Sequence, residues 1–271
     1  MILLIIFIIL ILLYLFLIMP RIAQRPDYSG LFGVYYAHRG LHDNQTDAPE
    51  NSMKAFRKAV DCGYGIELDV QLTRDRIPVV FHDESLKRVC GVSGNVRDYT
   101  YAELQKLNLC NSTEHIPLFI DFLQLVNGKV PLIVEIKSHE PVDPLCNIID
   151  NYLLDYKGAY CVESFDPRVV KWYKDHRPEV IRGQLSTDFT TPEKHEKFYE
   201  KWVHYLLTNC ICRPDFIAYD HQHKNNISRL LCKNLFGALG VTWTVKSQEE
   251  LDNCKKDFSL FIFEGFIPRK P

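Results

Sequence analysis

The sequence lacks a surplus of charge of either sign. Its 271 residues include 32 Lys and Arg against 34 Asp and Glu, which gives a formal net charge of −2 at pH 7. A protein that binds nucleic acid through its general electrostatic field carries a basic surplus. We therefore expect no nucleic-acid partner, and any anion that the protein binds must meet a local group of cations.

The sequence also lacks a CxxC pair. Its nine cysteines are an odd number and lie scattered along the chain. This usage is typical of reduced thiols and not of a disulfide framework. Cys210 and Cys212 flank Ile211, but no second close pair of cysteines accompanies them. We interpret them as small buried residues and not as zinc ligands.

The first nineteen residues contain no charged side chain, no glycine and no proline. An apolar run of this length predicts a helix that crosses the cell membrane once. A cleaved signal peptide would instead have a basic start, a shorter apolar core and small residues before the cut. Arg21 and Arg25 follow the run, so the positive-inside rule places the rest of the chain in the cytoplasm. The prediction is a membrane anchor over residues 1–19 and a linker over residues 20–33.

After the linker, short apolar runs alternate with longer segments of helical periodicity. The runs are GVYYAHRG, GIELDV, IPVVFHD, PLIVEIK, AYCVESF, VIRGQL, FIAYD, GVTWTVK and SLFIFEG. This alternation indicates a parallel sheet covered by helices, and about eight such units favour an α/β fold of the (β/α)8 TIM-barrel type over residues 34–271. Nine runs are candidates for the eight strands of such a barrel, and we expect one of the last three runs to lie outside it.

The carboxyl ends of the first four runs carry ionisable side chains. In α/β barrels, catalytic side chains gather at this edge. The set is His38, Arg39, Glu67, Asp69, His82, Asp83, Glu135 and Lys137. Glu67 and Asp69 are two positions apart, and so are Glu135 and Lys137, which places each pair on one face of its strand.

The carboxylates of Glu67, Asp69 and Glu135 are thus predicted to converge. Buried like charges repel one another, and a hard divalent cation is the usual neutraliser. Ligands that are all oxygen suit Mg²⁺ or Ca²⁺ and not Zn²⁺. The alternative is a structural salt network in which Arg39 and Lys137 pair with the carboxylates. We favour the metal, because the acidic groups exceed what such pairing needs.

Seven short motifs stand in order on these strand ends. They are HRG at 38–40, PENS at 49–52, ELDV at 67–70, FHDESLKR at 81–88, EIK at 135–137, ESF at 163–165 and WTV at 243–245. Together they resemble the glycerophosphodiester phosphodiesterase family. The resemblance extends from about Tyr35 to Phe266, which is nearly the whole chain after the apolar run.

The resemblance implies a TIM-barrel enzyme that hydrolyses glycerophosphodiesters to glycerol 3-phosphate and an alcohol with a divalent cation, Mg²⁺ or Ca²⁺. Carried over position by position, it implies three metal ligands, an acid/base pair and two phosphate clamps. These are Glu67, Asp69 and Glu135; His38 and His82; and Arg39 and Lys137, respectively.

Displacement at phosphorus needs one group that deprotonates the nucleophile and one that protonates the leaving alkoxide. We expect His38 to be the base and His82 the acid. Trp243 either lines the alcohol side of the pocket or packs in the core. Asn51 either caps the first barrel helix or contacts the site, and we favour the cap.

Two positions depart from the family pattern that the resemblance implies. Glu163 stands in ESF where SSF is usual, and Glu264 stands in FEGFIP where an Asp before a Pro is usual. Neither departure touches the expected metal ligands or histidines. Two other functions stay open beside hydrolysis of small diesters. One is a lysophospholipase D or cyclising phosphodiesterase that acts on lipid, and the other is a non-catalytic glycerophosphate-binding membrane protein.

Overall fold

The computed structural model describes residues 1–139, 141–189 and 200–271. Eight parallel strands form a closed barrel, in which the first strand pairs with both the second and the last. The predicted TIM barrel is therefore confirmed. The strands are β1 (Tyr36–His38), β2 (Gly65–Leu72), β3 (Pro78–Val80), β4 (Leu132–Ile136), β5 (Tyr160–Ser164), β6 (Ile181–Ser186), β7 (Phe216–Asp220), β8 (Leu239–Val245) and β9 (Leu260–Phe263).

One helix precedes the barrel, and the others lie between its strands along the chain. They are α1 (Ile2–Ile18), α2 (Met53–Asp61), α3 (Lys87–Cys90), α4 (Tyr101–Leu104), α5 (Phe119–Val126), α6 (Val142–Leu154), α7 (Pro167–His176), α8 (Glu200–His204), α9 (Asn209–Cys212), α10 (Ile227–Asn234) and α11 (Gln248–Cys254). Helix α2 begins after Ser52, whose hydroxyl accepts a hydrogen bond from the backbone N–H of Ala55. Ser52 is thus the N-cap, and the prediction that Asn51 caps this helix is wrong, because the Asn51 side chain is engaged at the barrel mouth.

The strand outside the barrel is β3, so the expectation that one of the last three runs lies outside is wrong. β3 pairs with β2 in the antiparallel direction, with Val70 opposite Val80. The reason is the length of β2, whose eight residues are all buried and extend beyond its pairing with β4. A turn between Thr73 and Ile77 reverses the chain. The resulting hairpin still carries His82 to the mouth of the barrel.

Alternation along the strands separates two environments. In β2, Ile66, Leu68 and Val70 pack in the core cluster between the strands and the helices. Glu67 and Asp69 point to the other face, as residues two apart in a strand must. The single strand β2 therefore contributes apolar packing on its outer face and charge on its inner face.

The barrel interior is apolar toward the amino ends of the strands. The buried side chains that fill it include Tyr36, Ile133, Cys161, Ile181, Phe216 and Val241. Gly183 makes room for this layer, since a Cβ atom added to it would lie 2.0 Å from the ring of Phe216. This layer closes the floor of the barrel and confines the buried charges to the mouth.

The N-terminal helix α1 spans 17 residues, and its first three turns are exposed. None of the helices in the described ranges combines the length and the apolarity needed to cross a membrane, so the predicted transmembrane helix is not supported. Ile18 at the end of α1 is fully buried, and its carbonyl accepts a hydrogen bond from the Asn209 side chain. The following segment also contacts the barrel, where Arg25 donates to the carbonyl of Gly237.

Candidate active site

The carboxyl ends of β1, β2, β4 and β5 bring charged residues together at one edge of the barrel. Glu67 on β2 lies opposite His38 on β1, and Asp69 lies opposite Glu135 on β4. Glu135 lies in turn opposite Glu163 on β5. The strand register therefore places four carboxylates and one imidazole on four adjacent strands.

Glu67, Asp69 and Glu135 form a buried acidic cluster, in which one oxygen atom of each lies within 4.8 Å of the others. Burial raises the pKa of Glu67 well above its usual range, and the charge of Asp69 adds to this effect. Burial likewise raises the pKa of Glu135 to about 7. A cation would relieve these unfavourable charges. The all-oxygen donor set fits a hard divalent ion such as Mg²⁺ or Ca²⁺.

Arg39 and Lys137 lie beside the acidic cluster and neutralise part of it. Lys137 Nζ is 2.9 Å from Asp69 Oδ1 and 2.7 Å from Glu135 Oε1. Arg39 Nε is 3.5 Å from Asp69 Oδ2. Although burial opposes ionisation, Lys137 holds the pKa of Asp69 well below its usual value. Within the described residues Glu67 has an ion contact with a histidine but none with Lys or Arg. The salt network is thus incomplete.

Glu163 adds a fourth carboxylate to the mouth. The residue is 2% exposed, and its Oε2 atom has no hydrogen-bond partner among the described residues. Burial raises the pKa of Glu163 well above its usual range, and the charge of Glu135 adds to this effect. Four carboxylates therefore face the two cations Arg39 and Lys137, which leaves a negative surplus that a divalent ion can balance.

His38 stands between the acidic cluster and the end of β9. Its Nδ1 atom is 2.6 Å from Glu264 Oε2, and its Nε2 atom is 3.8 Å from Glu67 Oε2. Burial lowers the pKa of His38 below its usual value, against the opposing effect of Glu264. The hydrogen bond from His38 lowers the pKa of Glu264 to about 2. An ionised Glu264 accepts the Nδ1 proton, which leaves Nε2 free to accept another.

His82 lies across the mouth with a similar partner. Its Nδ1 atom is 2.6 Å from Asp83 Oδ1. Arg88 donates hydrogen bonds to both oxygens of Asp83, at 2.7 and 2.8 Å. The Gln71 amide holds this segment by donating to two of its backbone carbonyls. Burial lowers the pKa of His82, and the charge of Lys137 lowers it further.

Glu50 connects the two sides of the mouth. Its carboxylate accepts hydrogen bonds from Arg88 at 2.7 Å, from Arg39 at 2.8 Å and from the Asn44 amide at 2.8 Å. Burial opposes ionisation, yet these donors lower the pKa of Glu50 to about 2. The loop before α2 is thereby fixed over the site. Next to Glu50, Asn51 donates to Asp69 Oδ2 at 3.0 Å.

Both histidines line one cavity of about 130 Å³. Trp243 lies on its wall, with its ring perpendicular to that of Phe165 at 5.7 Å. Lys137 lines an adjoining cavity of about 330 Å³, which shares His82 and Phe165 with the first. The mouth can therefore hold an anion between two imidazoles, with an apolar wall beside it.

Sequence reasoning missed the residues that hold the histidines in place. Glu50 and Arg88 stand within the motifs PENS and FHDESLKR, so a signal was present, but their pairing joins residues 38 positions apart. Glu264 is one of the two departures from the family pattern, and the expectation that it does not touch the histidines is wrong. Its contact with His38 joins residues 226 positions apart, and no local pattern indicates it.

Comparison with known sequences identifies relatives of this chain. The chain matches the glycerophosphoryl diester phosphodiesterase family over residues 38–256. A glycerophosphodiester phosphodiesterase of Bacillus altitudinis is 41% identical over 109 residues, which are 38% of this chain and 43% of that protein. One from Caldanaerobacter subterraneus is 40% identical over 162 residues, which are 55% of this chain and 65% of that protein. The matched part thus spans less than two thirds of these bacterial relatives.

A longer match is found with a mammalian protein. Glycerophosphodiester phosphodiesterase 1 of Bos taurus is 32% identical over 250 residues, and the match covers 79% of this chain and 72% of that protein. Among solved structures, a phosphodiesterase of Oleispira antarctica in complex with the product sn-glycerol-3-phosphate has a TM-score of 0.70 at 19% identity. That match covers 86% of this chain and 93% of the solved one. The barrel, its motifs and these matches show that the chain belongs to the glycerophosphoryl diester phosphodiesterase family.

Proposed function

We propose that the protein hydrolyses glycerophosphodiesters to glycerol 3-phosphate and an alcohol, with a divalent cation as cofactor. One observation supports this most strongly. His38 and His82 line the same cavity as Glu67 and Glu135, and each histidine has its Nδ1 atom 2.6 Å from a carboxylate. A site that only bound an anion would need cations, but it would not need two oriented imidazoles.

Glu67, Asp69 and Glu135 are the residues that would hold the cation, Mg²⁺ or Ca²⁺. When bound, such an ion neutralises charge on the phosphodiester. Arg39 and Lys137 bring fixed positive charge to the same mouth, where they bind and orient phosphate oxygens. The closed apolar floor keeps the charged substrate at the carboxyl ends of the strands.

The surroundings of the two histidines support a division of roles. Glu264 accepts the Nδ1 proton of His38, and its ion contacts within the described ranges are with histidines alone. Its charge therefore stabilises a protonated His38, as a general base requires. Asp83 shares its charge with Arg88, so a protonated His82 is less stabilised and gives up its proton more readily. We assign His38 as the base and His82 as the acid.

The exposed apolar surface of α1 supports a second candidate substrate class, the lysophospholipids. The first thirteen residues are all exposed, and all are apolar. A surface of this kind is an attachment site for lipid. We propose that α1 attaches the barrel to the surface of the cell membrane on its cytoplasmic side, where the unpaired cysteines of the chain would stay reduced. The substrate would then be cleaved by a lysophospholipase D reaction or by a cyclising one.

Phosphorus NMR of the products tests the proposed function. The purified full chain is incubated with glycerophosphocholine, and separately with lysophosphatidylcholine, in the presence of Mg²⁺ or Ca²⁺. We expect the glycerol 3-phosphate signal from the first substrate and no signal from the matched Glu67→Gln variant. A cyclic phosphate would support the cyclising reaction. Turnover of the lysophospholipid alone would support the lipid-directed enzyme, and no product from either substrate would contradict an enzymatic function.

A further inference from the structure

A second group of potential metal ligands lies on the far side of His38 from the acidic cluster. His38, His42 and Glu264 each offer one ligand atom, and these atoms lie within 4.8 Å of one another. His42 and Glu264 also line a cavity of about 530 Å³, which gives access and room for a water ligand. The group combines two imidazoles with one carboxylate, which differs in kind from the all-carboxylate acidic cluster.

His42 forms no hydrogen bond within the described residues that accounts for the burial of its two ring nitrogens. Its side chain is 9% exposed, and neither ring nitrogen has a hydrogen-bond partner among the described residues. Its Nε2 atom is 3.9 Å from Glu264 Oε1, which is too far for a hydrogen bond. An imidazole buried without partners costs free energy. A metal ion bound by His42 would remove that cost.

We propose that His38, His42 and Glu264 bind a borderline divalent metal ion, with Zn²⁺ as the best match, and that this binding inhibits the enzyme. Imidazole and carboxylate ligands favour Zn²⁺ over Mg²⁺ and Ca²⁺. Ligand atoms around tetrahedral zinc lie about 3.4 Å apart, given metal–ligand distances of about 2.1 Å. The observed separations of 2.6 Å and 3.9 Å from Glu264 lie on either side of this value, so small side-chain rotations complete the site.

The inhibition follows from what zinc displaces. A zinc ion on His38 Nδ1 takes the place of the proton now directed at Glu264, and the neutral ring then carries its one proton at Nε2. Glu264 then binds the metal and no longer supports a protonated His38. The ring keeps its place, but Nε2 already carries a proton and can no longer accept one. This consequence rests on the proposed role of His38 as the base, whereas zinc binding itself does not.

Direct binding tests the site independently of activity. Zn²⁺ is titrated calorimetrically into the full chain with Mg²⁺ in excess, so that the acidic cluster is saturated. We expect His42→Gln and His42→Asn to weaken zinc binding at least 10-fold, and His115→Gln, at an exposed histidine, to leave it unchanged. Thermal unfolding of each variant checks that the fold is intact. Equal zinc affinity in the wild type and in both folded His42 variants would overturn the proposal.

Inhibition is measured on the same proteins with glycerophosphocholine and excess Mg²⁺. We expect the half-inhibitory zinc concentration to rise at least 10-fold in His42→Gln, with the rate in the absence of zinc unchanged. Equal inhibition of the variant and the wild type would overturn the regulatory role. If the chain hydrolyses none of the diesters, the proposed function fails, but the binding titration still decides whether the zinc site exists.

Discussion

The two histidines at the barrel mouth share one arrangement and differ in what surrounds it. Nδ1 of His38 and Nδ1 of His82 each lie 2.6 Å from a carboxylate oxygen. For His82 that carboxylate, Asp83, is neutralised by Arg88, whereas Glu264 beside His38 has no such cation within the described ranges. The same hydrogen bond therefore supports a protonated ring to different degrees, because a compensated carboxylate stabilises an imidazolium less.

The largest loss of activity is expected from replacing Asp69, which lies between the two histidines in its electrostatic effect. Asp69→Asn removes a carboxylate of the acidic cluster whose charge acts on both histidines. We expect kcat/KM to fall by more than ~10⁴-fold, because several kcal/mol of charge stabilisation are lost. Initial rates on glycerophosphocholine measure this, with Asp47→Asn as the matched control at an exposed aspartate. A loss below about tenfold would contradict the role of the acidic cluster.

Removal of either imidazole ring should lower activity less than Asp69→Asn does. His38→Ala and His82→Ala each remove one proton-transfer group and leave the acidic cluster intact. We expect kcat on glycerophosphocholine to fall ~10³-fold in each variant, within the range typical of general acid/base catalysis. Unchanged affinity for the divalent cation, measured by titration, is the control. Near-native turnover of both variants would show that neither ring transfers a proton.

The carboxylate partners of the two histidines should contribute unequally to kcat. Glu264→Gln and Asp83→Asn each replace a charged acceptor with a neutral one of the same shape. We expect Glu264→Gln to lower kcat about 30-fold, in keeping with the loss of one charge-assisted hydrogen bond. Asp83→Asn should lower kcat by less, because Arg88 already neutralises Asp83. The KM of both variants should be little changed, and a larger loss in Asp83→Asn would reverse the assigned roles.

Replacement of Glu50 is expected to have the smallest effect on catalysis and a measurable effect on stability. Its pKa in the folded protein is about 2, below the usual 4.5. A lowered carboxyl pKa stabilises the fold above the unfolded pKa, and this contribution is lost as pH falls from 4.5 through about 2. We expect Glu50→Gln to cost about 3 kcal/mol of unfolding free energy at pH 7.

Urea unfolding at pH 7 and at pH 3 measures this effect. The difference between the wild type and Glu50→Gln should be largest at pH 7 and clearly smaller at pH 3. Glu249→Gln, at an exposed glutamate, is the control and should not change stability at either pH. A difference that grows as pH falls would show that the sign of the Glu50 contribution is reversed.

The barrel and the acidic cluster could be predicted from the sequence because their signals are local. The alternation in GIELDV places Glu67 and Asp69 on one face of a buried strand, whatever the rest of the chain does. Parallel strands then bring their carboxyl ends to one edge of the barrel, so Glu135 is expected to lie beside Glu67 and Asp69. The family resemblance depends on the same local signals, since its motifs lie on these strand ends. The family match over residues 38–256 confirms it.

The rest depended on contacts between distant parts of the chain. The partner of His38 lies 226 positions away, on the last strand of the barrel. The place of β3 outside the barrel follows from how far β2 extends beyond its neighbours, which periodicity does not encode. Asn51 and Ser52 are both good helix caps by type, and the tertiary contact of Asn51 with Asp69 decides between them.

We propose that the two histidines transfer protons in opposite directions. This is tested most directly by how the rate of each histidine variant depends on the leaving group. Rates of His38→Ala and His82→Ala are compared on glycerophosphocholine and on a p-nitrophenyl phosphodiester. An acidic phenol leaves without protonation, so it compensates for a lost acid and not for a lost base. We predict that the p-nitrophenyl ester restores His82→Ala and leaves His38→Ala impaired. Restoration of His38→Ala alone, or of neither variant, would contradict the assigned roles of the two histidines.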